Sequence, residues 1–177
     1  MGHLSFPDSV ALVVATFSRH IEVIACARER LNTIYGPVAL TSPLFDFNQT
    51  RYYEPTMGPG LRKQFFVFQD LVAADCLADV KSQTNKLEAE FARSGAYPET
   101  RPLNLDPGVL FLGKFLLATT KDQAHRIYLR DGIFAEVTLR FHDGTFEPWP
   151  WTYADYREPW VIAFLNEARE WYRLVRP

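Results

Sequence analysis

The densest run of side chains able to do chemistry is TTKDQAHRIYL, residues 119–129. Lys121, His125 and Arg126 are donors near neutral pH. A guanidinium holds a phosphate or carboxylate through two parallel hydrogen bonds, and an imidazole moves a proton. The same side chains also suit a plainer role, capping a strand or pairing with nearby acids. Further on, IFAEVTL carries Glu136, which alternation places on one strand face with Thr138 and Arg140. A hairpin would bring Glu136 near Arg126 or Tyr128. It is then a cross-strand ion pair, or a carboxylate that orients His125 or holds a metal. In NLDPG, Asn104 and Asp106 lie one strand period apart and can take a cation or a ribose hydroxyl. The competing reading is a turn in which the aspartate caps its own backbone.

Other segments would have to complete any site. Lys81, Thr84, Asn85 and Glu88 share one helix face at i, i+3, i+4 and i+7. That face is solvated, or its mediocre helix formers Thr and Asn are kept for contacts. The stretch DFNQTRYYEPTMGPGLRK, residues 46–63, reads as a long loop that holds Tyr52, Tyr53 and Met57. Long polar loops carrying aromatics in compact domains are commonly functional. WPWTYADY (149–156) groups Trp149, Trp151, Tyr153 and Tyr156. It suits stacking on a base or sugar, or packing over a sheet edge.

Some chemistries lack their motifs. There is no GxxxxGK[ST] phosphate cradle, no GxGxxG, no HExxH and no GxSxG elbow. The 4 histidines are scattered, against a His-rich zinc site. A net charge of −2 argues against a polyanion partner bound by bulk charge. Single-stranded RNA is therefore the weakest reading. No apolar run is long enough to span a membrane. Residues 1–7 lack a charged segment followed by an apolar one, against a secretion signal. Cys26 and Cys76, with no CxxC between them, read as two reduced, buried thiols of a cytosolic protein.

The elements follow from pattern. SVALVVATF (9–17) is a central strand buried on both faces. Ser18 then offers an N-cap for a helix bearing Ile21, Ile24, Leu31 and Tyr35 and stopped at Gly36-Pro37. Two short strand pieces span residues 38–47, broken at Pro43. QFFVF (64–68) is a strand, and a helix covers about 74–93. RPLNLDPG (101–108) is a strand running into a turn at Asp-Pro-Gly. VLFLGKFLLATT (109–120) is helix or strand, with strand favoured near its end. HRIYL and IFAEVTLRF form a hairpin about Arg130–Gly132, and His142–Gly144 turns into TFEPW. The last helix starts near Pro159, its buried side formed by Phe164, Leu165, Ala168, Trp171 and Val175. With 177 residues and 47% hydrophobic content, the chain suits one globular domain. This order predicts an α+β fold: a mostly antiparallel sheet with about three helices on one face, ferredoxin-like or a duplicated variant.

FDFNQTRYYEPTMGPGL, DVKSQTNKLE, RPLNLDPG, LLATTKDQAHRIYLRDGIFAEVTL and WPWTYADY occur in that order. In these segments the chain resembles, over nearly its whole length, a bacterial family recorded as a domain of unknown function. Relatives are sometimes labelled GTP-binding proteins; a GTP ligand here would be held without a P-loop. Matched positions are Thr50, Tyr52, Tyr53, Glu54, Met57 and Gly58, then Lys81, Thr84, Asn85 and Glu88. Asn104, Asp106, Lys121, His125, Arg126, Glu136 and Thr138 complete them. Relatives have Glu-Met-Gly after the tyrosines where this chain has Glu54-Pro55-Thr56-Met57-Gly58, which leaves the role of Glu54 open.

The functional expectation is a ligand-binding domain or enzyme acting on a small phosphorylated or nucleotide-like molecule. Lys121, Arg126, Lys81, Asn85 and Asn104 would contact the ligand, and Tyr52 or Tyr53 would cover it. His125, Glu136 and Asp106 would do acid–base work, with Mg²⁺ or another divalent cation as a candidate cofactor. The alternative is a non-catalytic protein-interaction module built on the aromatic segment and the loop.

Overall fold

The computed structural model of the chain describes residues 2–3 and 6–177; the N-terminal reading for residues 1–7 therefore lies partly outside them. The chain forms an antiparallel sheet with helices on both faces. Strand β1 (Ala11–Ser18) is buried along its whole length, as its unbroken apolar run requires. It is followed by α1 (Ile21–Tyr35), β2 (Val38–Thr41), β3 (Phe45–Asp46), the single turn α2 (Glu54–Met57) and β4 (Arg62–Phe68). Then come α3 (Leu77–Arg93), β5 (Asn104–Leu110), β6 (Lys114–Thr119), β7 (Ile127–Arg130), β8 (Ile133–His142), β9 (Thr145–Pro148) and α4 (Pro159–Val175). A 3₁₀ turn over Ala154–Arg157 precedes α4.

The strand order is β2-β4-β1-β5-β6-β8-β7, with β3 beside β4 and β9 beside β8. Every pairing is antiparallel. The first part, β1-α1-β2-β4-α3-β5 in the order β2-β4-β1-β5, is a ferredoxin-like split βαβ arrangement. The second part is a meander, so the described residues hold no duplicate of that unit.

Side-chain alternation along β1 divides the core. Leu12 and Val14 face α1 and α3, packing with Val23, Ile24, Leu31, Val80 and Leu87. Ala11, Val13 and Ala15 face α4, packing with Phe65, Phe115, Phe164 and Leu165. The helices are therefore not confined to one face. The C-terminal helix has its own apolar stripe, which finds cover on the side that α1 and α3 leave open.

Several local expectations are corrected. Ser18 ends β1 rather than capping α1: its Oγ donates to the Pro102 carbonyl and accepts from the His20 amide, and His20 is the N-cap residue. Cys26 is exposed on α1 and Cys76 half-buried; both are free. Val175, the last residue of α4, is exposed. Asp106-Pro107-Gly108 is not a turn but the middle of β5, with Val14 opposite Pro107 and Val13 opposite Gly108.

The reason lies in the ladder. β5 pairs with β6 only over Gly108–Leu110. A backbone N–H and C=O in an antiparallel strand point to the same side, and that side alternates residue by residue. Leu105 and Pro107 thus share the side away from β1. Proline has no N–H to offer β6 there. At Leu105 the helix substitutes for a strand: its N–H donates to Glu88 Oε1 at 2.7 Å and its carbonyl accepts from Lys81 Nζ at 2.8 Å. Gly108 is required at the same place, since a Cβ there would lie 2.5 Å from the Leu116 carbonyl and 2.6 Å from the Phe115 ring.

Candidate functional site

Where β5 and β6 part, a cavity of about 390 Å³ opens. Its walls are the ends of β1, β4, β5 and β6, the loop from Gln49 to Tyr53, Glu136 of β8, and the 3₁₀ turn. Lys81, Asn104, Asp106, Lys121, Glu136, Tyr52 and Tyr53 lie on this wall. His125, Arg126 and Asn85 do not.

Arg126 is not available for an anion. It is buried, with Nε donating to Glu136 at 2.9 Å, Nη1 to the Lys121 carbonyl at 2.9 Å and Nη2 to the Tyr153 hydroxyl at 2.6 Å. His125 stands beside it, Nε2 3.3 Å from the same Glu136 oxygen, its ring stacked on Trp151. Thr138 donates to the other Glu136 oxygen at 3.3 Å. Glu136 thus reaches the cavity as a carboxylate already held by three donors. Asn85 is half-buried on α3, away from the wall.

Asn104 and Asp106 differ from that cluster. Asn104 Oδ1 accepts from Arg101, while Nδ2 is buried with no partner among the described residues. The Asp106 carboxylate makes no hydrogen bond there either; its one charged neighbour is Lys81 Nζ at 3.8 Å. The capped-turn reading of Asp106 is thereby replaced by a carboxylate on a strand.

Residues that sequence reasoning passed over complete the wall. Lys63 of β4 is fully buried and donates to Asp155 Oδ2 at 2.5 Å. Its ammonium lies 4.7–5.3 Å from the ring centroids of Phe17, Phe47, Phe65 and Tyr156. Aromatic faces and one carboxylate are what a desolvated ammonium needs. A lone lysine beside QFFVF, far in sequence from its aspartate, carries no signal of this. Arg101 donates to Glu88 at 2.9 Å through Nη2, the nitrogen that also meets Asn104.

The loop is packed in place along the cavity wall. Tyr53 packs edge-on against Phe17, centroids 5.0 Å apart, and Phe47 lies 4.9 Å from Phe17. The Arg101 amide donates to the Thr56 carbonyl at 3.0 Å, tying α2 to the strand that follows. Burial, and then the negative field of Asp106, push the Tyr53 phenol well above its ordinary pKa. Tyr52 is exposed at the mouth, with Lys121 Nζ 4.2 Å from its ring centroid; that ammonium lowers its pKa. WPWTYADY is fastened over the sheet: Trp151 Nε1 donates to the Val137 carbonyl and Thr152 Oγ1 to that of Thr138. Tyr156 closes the inner end, its hydroxyl buried and unpartnered among the described residues. Among those residues no group of three or more His, Cys, Asp or Glu side chains is placed to hold a metal ion.

Fold and site together define an antiparallel α+β domain with one polar, aromatic-walled cavity cut into its sheet. The chain belongs to a family described as a domain of unknown function (DUF4416), matched over residues 8–172. No curated protein and no solved structure matches it.

Proposed function

We propose that the chain binds a small phosphorylated, nucleotide-sized molecule in this cavity, with its anionic group at Lys121 and Arg101. The observation that carries the reading is the make-up of one wall. Lys63, Lys81, Arg101 and Lys121 stand there beside Phe17, Phe47 and Tyr53, around a volume in the range of small-molecule sites. Lys63 and Lys81 are committed to protein partners. Lys121 has no carboxylate partner among the described residues. Arg101 uses a single nitrogen for its two bonds, which leaves Nε and Nη1 for a ligand. His125 is off the wall, so the proposal is one of binding rather than turnover.

The test is a thermal melt with ribonucleotides, sugar phosphates and inorganic phosphate. A ligand at 100 times its Kd contributes about 2.7 kcal/mol to the folded state. The expected result is a raised Tm that disappears in the Lys121→Ala/Arg101→Ala double variant. No rise with any phosphorylated compound sinks the reading.

A second reading, a protein-interaction module, is favoured by β7. This edge strand exposes Ile127, Tyr128 and Leu129, a feature natural sheets usually cover or charge. A solution mass equal to one chain at all concentrations, unaltered by Ile127→Glu, would count against it.

A further inference from the structure

We infer that the cavity recognises the hydroxyls of a ribosyl group at Asn104, Asp106 and Tyr156, leaving the phosphate outward at Lys121; this rests on the binding reading above. Two polar side chains on the inner wall are each 1% exposed, Asn104 and Tyr156, and each has a polar atom without a partner among the described residues. An unsatisfied buried donor destabilises the folded state, and such groups are rare in folded proteins. Two of them on one cavity wall, beside a carboxylate that lacks a donor, ask for a ligand.

The chemistry of the three groups narrows it. Asn104 Nδ2 can only donate, because Oδ1 is taken by Arg101. Asp106 can only accept while ionised. The Tyr156 hydroxyl stays protonated, since burial and then the fields of Asp155, Asp106 and Glu136 raise its pKa. A bare phosphate supplies acceptors but meets the Asp106 charge. An ammonium supplies donors but nothing for Asn104. A hydroxyl does both. Asn104 and Asp106 project from the same strand face, with their Cα atoms roughly 6.7 Å apart. A ligand hydroxyl can meet each with a hydrogen bond of about 2.8 Å. Such hydroxyls also reproduce the bonds of the water they displace.

The geometry of the strand supports the same orientation. Asp106 lies opposite Ala15, whose methyl leaves room above the sheet. Lys121 is exposed on the segment after β6, beside Tyr52 at the mouth, and Arg101, which meets Asn104 through Nη2, keeps Nε and Nη1 free. A ribosyl 5′-phosphate is a molecule with hydroxyls at one end and an anion at the other.

The experiment measures binding of ribose 5-phosphate and uridine 5′-monophosphate by calorimetry. Each is compared with its 2′-deoxy counterpart, and the nucleotide also with its 3′-deoxy form. Inorganic phosphate and free ribose are included. A site that hydrogen-bonds a hydroxyl rejects the analogue lacking it, so at least one deoxy form should bind more weakly by about tenfold or more. Asp106→Ala should abolish that discrimination, with Asn104→Ala as a second variant should the first not fold. Equal binding of all ribo and deoxy forms, or of inorganic phosphate alone, overturns the inference but leaves the anion site standing. Discrimination that survives both variants also overturns it. Binding of free ribose, lost in Asp106→Ala and unaided by phosphate, supports the hydroxyl site and removes the anion site. Failure of every compound to bind overturns both.

Discussion

Two polar clusters face each other across the gap between β5 and β8, and they are built in opposite ways. In the β8 cluster every group has found a partner inside the protein. Arg126 donates through all three nitrogens, and both Glu136 oxygens accept. In the β5 cluster Asn104 keeps a free donor and Asp106 a free acceptor. Residue type does not separate the two, since each offers a carboxylate and a nitrogen donor. What separates them is remaining hydrogen-bonding capacity. A cluster that satisfies itself holds β7, β8 and the Tyr153 segment together; one that does not is open to a ligand.

The contrast can be broken most decisively at Glu136. Glu136→Ala strands a buried guanidinium and should cost about 3–5 kcal/mol in urea unfolding; a loss under about 1 kcal/mol would mean the cluster is not closed. Gly108→Ala tests the seam that separates the clusters. It forces a Cβ onto the Leu116 carbonyl and the Phe115 ring, for an expected loss of about 1–3 kcal/mol by the same measurement. Asp106→Ala gives the opposite result to Glu136→Ala. It removes one weak ion pair, so stability should change by less than about 1 kcal/mol, while ribosyl discrimination disappears.

The smallest effects are in pH dependence, where two carboxylates should behave oppositely. Burial raises the Glu88 pKa, against the pull of Lys81 and Arg101. The folded state then holds that proton more tightly than the unfolded chain. Wild type should gain stability relative to Glu88→Gln as pH falls through the raised value, the gain being complete below the ordinary carboxyl value. The hydrogen bond from His20, reinforced by Arg19, lowers the Glu99 pKa. Wild type should lose stability relative to Glu99→Gln as pH falls from the ordinary carboxyl value through the lowered one. Denaturation midpoints across the acid range read both slopes, and equal signs would refute the assignment.

Much of the fold was legible because the signals were local. The apolar run of β1, the Gly36 stop of α1, the hairpin about Arg130–Gly132 and the proline start of α4 each follow from a few adjacent residues. Asp131 and Gly132 take the positive φ that a tight hairpin needs, at 54° and 75°. Asp106-Pro107-Gly108 misled because its local preference is a turn. Tertiary pairing to β1 overrode that preference, and α3 supplied the bonds that β6 did not. On the cavity wall, Tyr52, Tyr53, Lys81, Asn104, Asp106, Lys121 and Glu136 were legible as polar or aromatic residues within short local motifs. Lys63 and Asp155 were not, because their significance is a contact between residues 92 apart in sequence.

By itself the sequence determined the elements and their α+β class, since periodicity, proline and glycine act over a few residues. It also supplied the side chains capable of holding an anion. Only the tertiary structure decided which of them are free to do so. Hydrogen-bond capacity is shared among partners brought together from distant positions, and the packing of β5, β6, β8 and α3 distributes it. That distribution closed Arg126 and left Lys121 open.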